Sequence, residues 1–266
     1  GIYLQQFQGG LYSGGINTPP ASYNSLGINY TKNIKLLNTS GVESSTGKIV
    51  LLSIGFSNAA MEWCADISTT TVIPCTSWSF IGKAKADASV RKETLRIFNG
   101  AMSGQDNATW DDVNDSNYNI VNSRLLSAGL SPNQVQVIWL KIANKQPTTS
   151  LPIQTADVYK LLQSTGNIIR TLKIKYPNLQ EIFISPRIYG GYAKVALNPE
   201  PYAFETAFAV KWIIQSYITE IETGVVDPIV GPLPQNVFIS WGPYMWANGS
   251  IARSDGLRWV LSDFKS

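Results

Sequence analysis

The pattern of apolar and polar positions changes at residue 48. Before it, apolar residues are scattered among Gly, Ser, Asn and Tyr with a Pro19-Pro20 pair. Residues 1–46 therefore read as irregular structure with short strands, packed on the domain that follows. From residue 48 onward, short apolar runs alternate with longer stretches of helical period. Five runs, 49–54, 94–98, 135–140, 181–185 and 237–241, are rich in β-branched or aromatic residues and read as strands. In the first, Ile49, Val50, Leu51, Leu52 and Ile54 make a nearly continuous apolar run, as in a strand covered on both faces.

Between the strands the period lengthens. Val158, Leu161, Leu162, Thr165, Ile168, Ile169 and Leu172 recur at spacings of three and four, predicting a helix over 155–176 that Pro177 stops. Residues 202–221 are apolar around much of the helical circumference, which predicts a well-buried helix. A shorter helix is predicted over 117–128, capped by Asp115 or Ser116 and ended by Gly129. Strands alternating with helices predict an α/β fold, a three-layer α/β/α sandwich around a parallel sheet of about five strands in residues 47–266.

Composition narrows the function classes. A chain of 266 residues that is 44% hydrophobic and 15% charged is globular rather than disordered. A net charge of +3, with Lys and Arg scattered, gives no nucleic-acid footprint. No run of 18 apolar residues predicts a transmembrane segment. Cys64 and Cys75 are the only cysteines, and with no His in the chain they cannot make a structural zinc site. A local disulfide is the preferred reading, and two free thiols the alternative. Asn29, Asn38, Asn107, Asn114 and Asn248 open N-x-S/T sequons. With the cysteine pair they point to an extracellular or secreted glycoprotein.

The candidate chemistry lies at the carboxyl ends of the strands, where open α/β sheets bind ligands. Gly55-Phe56-Ser57-Asn58 follows the first strand and places a Ser at a sharp turn, either as a nucleophile or as an ordinary turn residue. After the second come Gly100 and Gly104, glycines that let a backbone N–H approach a ligand. After the third, Lys141 and Asn144 can face the same cleft. After the fourth come Arg187 and Tyr189, and after the fifth Trp241, Tyr244 and Trp246. These aromatics either line a groove for amphipathic ligands or cover loops. Asp106, Asp111, Asp112 and Asp115 lack EF-hand spacing and read as a solvated, helix-capping loop. No motif implies a metal or a cofactor. Nothing in the sequence supports self-assembly.

The segments GGLYSGGINTPP, GKIVLLSIGFSN, NGAMSGQDNATW, AGLSPNQVQVIWLKIAN, SPRIYGGYA, LNPEPYAFETAFAVKW, SWGPYMWANG and RSDGLRW…DF resemble the SGNH, or GDSL-like, hydrolases. The narrower resemblance is to an uncharacterised esterase-type branch, and it runs from about Leu11 to Phe264. It implies a flavodoxin-like sandwich that hydrolyses acyl or acetyl esters, often on carbohydrate. Ser57 matches the family nucleophile, and the N–H groups of Ser57 and Gly104 match two oxyanion donors. The wider family takes a third donor from the Asn of a Gly-x-Asn-Asp block. Residues 141–144 stand there instead, so the resemblance assigns no third donor. Relatives continue after a segment like Ser262-Asp263-Phe264 into Asp-Gly-Thr-His-Pro, which supplies the acid and base. The sequence stops at Ser266. Two expectations follow. One is a portion of an extracellular serine esterase, inactive as it stands, with a small ester or carbohydrate ligand. The other is a secreted, glycosylated binding or structural protein on a scaffold that has lost its dyad, since a Ser hydroxyl needs a base to become a nucleophile.

Overall fold

The computed structural model describes residues 1–64 and 75–264. Strands β1 (Ile2–Tyr3) and β2 (Phe7–Gln8) form a small antiparallel ribbon. Helix α1 (Ala21–Thr31) follows, then β3 (Ile49–Gly55), α2 (Ser57–Cys64), α3 (Phe80–Ala86), β4 (Leu95–Asn99), α4 (Ser116–Ser127), β5 (Val135–Lys141), α5 (Asp157–Lys175), β6 (Glu181–Ile184), α6 (Tyr202–Thr223) and β7 (Phe238–Trp241). The large sheet is wholly parallel, in the order β4-β3-β5-β6-β7. Counting only its own strands, that is 2-1-3-4-5, the flavodoxin-like order. The chain leaves β3 for one side of the sheet and later crosses to the other, so the switch point lies between β3 and β5. The middle of the sheet is β5; β3 is interior but second from the edge.

Alternation of side chains assigns the layers. Ser53 and Trp139 share a face, where Trp139 stacks on Trp63 of α2 with centroids 5.5 Å apart. Glu181 and Phe238 lie on the same face and meet α1: Thr31 donates to Glu181 at 2.6 Å, and Tyr23 packs on Phe238 at 4.8 Å. Leu52 points to the opposite face, the side on which α4 brings Val121. Every apolar position that predicted α5 is buried, and α6 packs beside it.

The predicted strands and long helices match to within two residues at each end. Helix α1 is the main difference: residues 21–31 of the stretch read as irregular are helical. Its sequence, ASYNSLGINYT, has Gly27 in its middle and few strong helix formers, so propensity gives no signal. Packing of Tyr23, whose hydroxyl donates to the Ile239 carbonyl at 2.5 Å, holds it on β7 instead. Cys64 and Cys75 form a disulfide with Cα atoms 4.5 Å apart, as preferred from the sequence. No helix among the described residues is long and apolar enough to cross a membrane.

Candidate active site

Strand β3 delivers Ser57. Its last residue, Gly55, lies tight against β5 and α2: a Cβ there would sit 2.2 Å from the Lys141 carbonyl oxygen and 2.9 Å from the Ala59 Cβ. Only glycine fits, and the chain turns directly into α2 with Ser57 as its first residue. The N–H groups at a helix start have no intrahelical acceptor and carry a partial positive charge. The Ser57 N–H donates to no group among the described residues.

The loop after β4 is fastened to this turn. Gly100 donates to the Ser53 carbonyl at 3.1 Å, and Met102 to the Gly55 carbonyl at 3.0 Å. Ser53 Oγ donates to Asn99 Oδ1 at 2.8 Å, and Asn99 Nδ2 to the Ala60 carbonyl at 3.0 Å, which ties the end of β4 to α2. Gly104 then adopts φ +77°, a left-handed conformation that favours glycine. Its N–H is likewise without an acceptor among the described residues.

Ser57 and Gly104 line one cleft of about 580 Å³ at the carboxyl ends of the strands. Asn58, Asn144, Arg187 and Tyr189 line it too. Asn144 Nδ2 is already donated to the Asp157 carbonyl at 2.6 Å, so one of its two N–H bonds is spent on holding the loop before α5. Arg187 donates from Nη1 to Asn58 Oδ1 at 2.9 Å and lies over the Phe56 ring at 5.1 Å. Burial pushes its guanidinium below the ordinary arginine value, with Glu62 and Glu200 opposing. Tyr189 packs edge-to-face on Tyr192 at 5.1 Å, and Tyr192 meets Phe264 at 5.6 Å, forming an aromatic wall.

Lys141 is corrected by the structure. It is not part of the cleft lining: its side chain is 3% exposed, and its ammonium is 2.5 Å from Glu62 Oε1. It pairs in register with Gly55 and points under α2, towards Glu62 and the Trp139 ring. Burial lowers its pKa, while Glu62 opposes that shift. Trp241, the last residue of β7, and Tyr244 and Trp246 after it also lie outside the cleft lining. Trp241 donates to the Leu11 carbonyl at 3.0 Å, and Trp246 packs on Phe204 at 4.5 Å and donates to Glu200 at 2.9 Å. Of the sequon asparagines, Asn29, Asn38, Asn114 and Asn248 are exposed. Asn107 is buried, and its Nδ2 donates to Ser164 at 3.0 Å, so the folded protein does not offer it for modification.

Sequence reasoning missed Glu62, Lys145 and Lys194. Glu62 follows Ser57 on a helix too short to show a period. Lys145 and Lys194 sit in loops and acquire meaning only through the cleft they line.

No family model matches the chain, and no curated protein does. Among solved structures it is similar to a protein from Arabidopsis thaliana, at 11% identity over 81% of this chain and 92% of that one, with a TM-score of 0.43. It is similar to an extracellular lipase from Streptomyces rimosus, at 14% identity over 67% of this chain and 78% of that one, with a TM-score of 0.34. It is also similar to a GDSL-like lipase from Parabacteroides merdae, at 12% identity over 71% and 84% of the two chains, with a TM-score of 0.39.

Proposed function

We propose that this chain is an ester-hydrolase domain of the SGNH type that acts outside the cell on an acyl ester, with Ser57 as nucleophile. The observation that carries the reading is the pairing of Ser57 and Gly104 in one cleft, each with an unspent backbone N–H. Ser57 Oγ attacks the ester carbonyl and gives its proton to a base. The carbonyl oxygen gathers negative charge, and the Ser57 and Gly104 N–H groups are the donors that meet it. Collapse expels the alcohol, which takes the proton back from the base. Water then repeats the sequence on the acyl-serine and frees the acid. The tyrosine wall suits the ring face of a carbohydrate alcohol, and the disulfide fits an oxidising compartment.

None of these 266 residues is histidine, the usual base of such a site. Lys141 does not replace it, because its ammonium is buried against Glu62 outside the cleft lining. An imidazole brought from outside these residues, by a longer polypeptide or by the solution, supplies the missing proton acceptor. The 266-residue protein should therefore hydrolyse an aryl acetate barely above background. Added imidazole should raise the rate above its own uncatalysed contribution, and Ser57→Ala should remove that gain. The absence of histidine favours a second reading, a carbohydrate-binding protein on the same scaffold. A gain from imidazole that is the same in wild type and Ser57→Ala would select it.

A further inference from the structure

Arg187 makes no ion pair among the described residues. The acids nearest in influence are spent elsewhere: Glu62 holds Lys141, and Glu200 accepts from the Gly190 N–H and from Trp246. Nη1 is used by Asn58 Oδ1, whereas Nε is buried with no acceptor, and Nη2 donates to no described residue. With Nη1 spent and Nε covered, Nη2 is the donor left to a ligand, and a carboxylate meets it through a charge-assisted hydrogen bond.

The rest of the cleft has the same sign. Lys145 and Lys194 are exposed on its lining, and Asp106 is the one acidic side chain among the lining residues. The Asn58 bond also fixes Arg187 beside the first turn of α2, so an anion held there lies close to Ser57.

We propose that Arg187 is a carboxylate-binding subsite, and that the ester this cleft takes carries a carboxylate, as in an O-acylated sugar acid. The word ester rests on the hydrolase reading; the carboxylate subsite does not. The test is therefore a binding measurement made without turnover. Ser57→Ala protein is titrated calorimetrically with glucuronate, glucose and glucose 6-phosphate. Glucuronate should bind about tenfold more tightly than glucose, as a charge-assisted hydrogen bond to Nη2 implies. Arg187→Gln should bring the two sugars to within about twofold. Arg187→Lys, which keeps the charge and loses the donor that Asn58 positions, should retain only part of the preference. Equal affinity for glucuronate and glucose in the Ser57→Ala protein overturns the proposal, whether or not the Arg187 variants fold. So does a preference that survives Arg187→Gln, or tighter binding of glucose 6-phosphate than of glucuronate. Failure of ester hydrolysis leaves this result standing, and loss of the carboxylate preference leaves hydrolysis standing.

Discussion

Met102 donates its backbone N–H to the carbonyl of Gly55 at 3.0 Å, two residues before each of the residues that define the cleft. This bond joins the loop of Gly104 to the turn of Ser57. The spacing of Ser57 and the Gly104 N–H is thus set by backbone rather than by flexible side chains, which is the preorganisation that the proposed oxyanion site requires.

Gly55 is the tightest point of that construction. Gly55→Ala should destabilise the protein by roughly 2–3 kcal/mol, because the new methyl group overlaps the Lys141 carbonyl and strand β3 must separate from β5. Urea denaturation measures it. Wild-type stability in the alanine variant would show that the β3–β5 junction yields without cost.

The Lys141–Glu62 pair should respond asymmetrically. Glu62→Gln leaves a buried ammonium without its counter-charge and should cost about 2–3 kcal/mol, less than for a fully buried pair because Glu62 is 35% exposed. Lys141→Met leaves only a carboxylate that can reach water and should cost less. The same denaturation measurement ranks the two variants, and the reverse order would contradict the assigned burial.

The disulfide should contribute about 2–3 kcal/mol through the unfolded chain, for a sequence separation of 11. The double substitution Cys64→Ser, Cys75→Ser should lower stability by that amount, and reductant should then have no further effect. An equal response to reductant in both proteins would place the stabilisation elsewhere.

Glu205 should make stability depend on pH. Burial pushes its pKa up to about 7, from 4.5; the Leu151 N–H and the Tyr3 hydroxyl oppose this, and Asp157 and Glu200 add to it. The folded state therefore holds a proton that the unfolded state releases. Its contribution is fully present below pH 4.5 and is lost as pH rises towards 7. The loss amounts to at most about 3 kcal/mol. Glu205→Gln should flatten the profile between these limits. A slope unchanged in that variant would assign the effect to another group.

The sheet was legible in the sequence because its strands are buried and short. Apolar runs such as 135–140 have no alternative use, and α5 carries its apolar face at helical spacing for nearly its whole length. Helix α1 was not legible, because Tyr23 and Gly27 are its only buried residues and its stability comes from β7. At the site, Ser57 and Gly104 follow from position, each just past the end of a strand. Lys141 has the same sequence logic and a different fate. Pleating turns it towards Glu62, and nothing in a loop-end motif says which face a residue will take. Arg187 could be placed in the cleft, but its lack of an ion pair among the described residues depends on where Glu62 and Glu200 point.

The central claim is that Ser57 is an acyl acceptor. It is tested most directly by incubating the protein with an aryl acetate and imidazole, quenching in acid, and mapping the acetyl group by peptide mass spectrometry. One acetyl group should be found on the peptide containing Ser57, at Ser57 itself, and it should be absent from Ser57→Ala. Acetylation confined to lysines, unchanged by Ser57→Ala, would contradict the account.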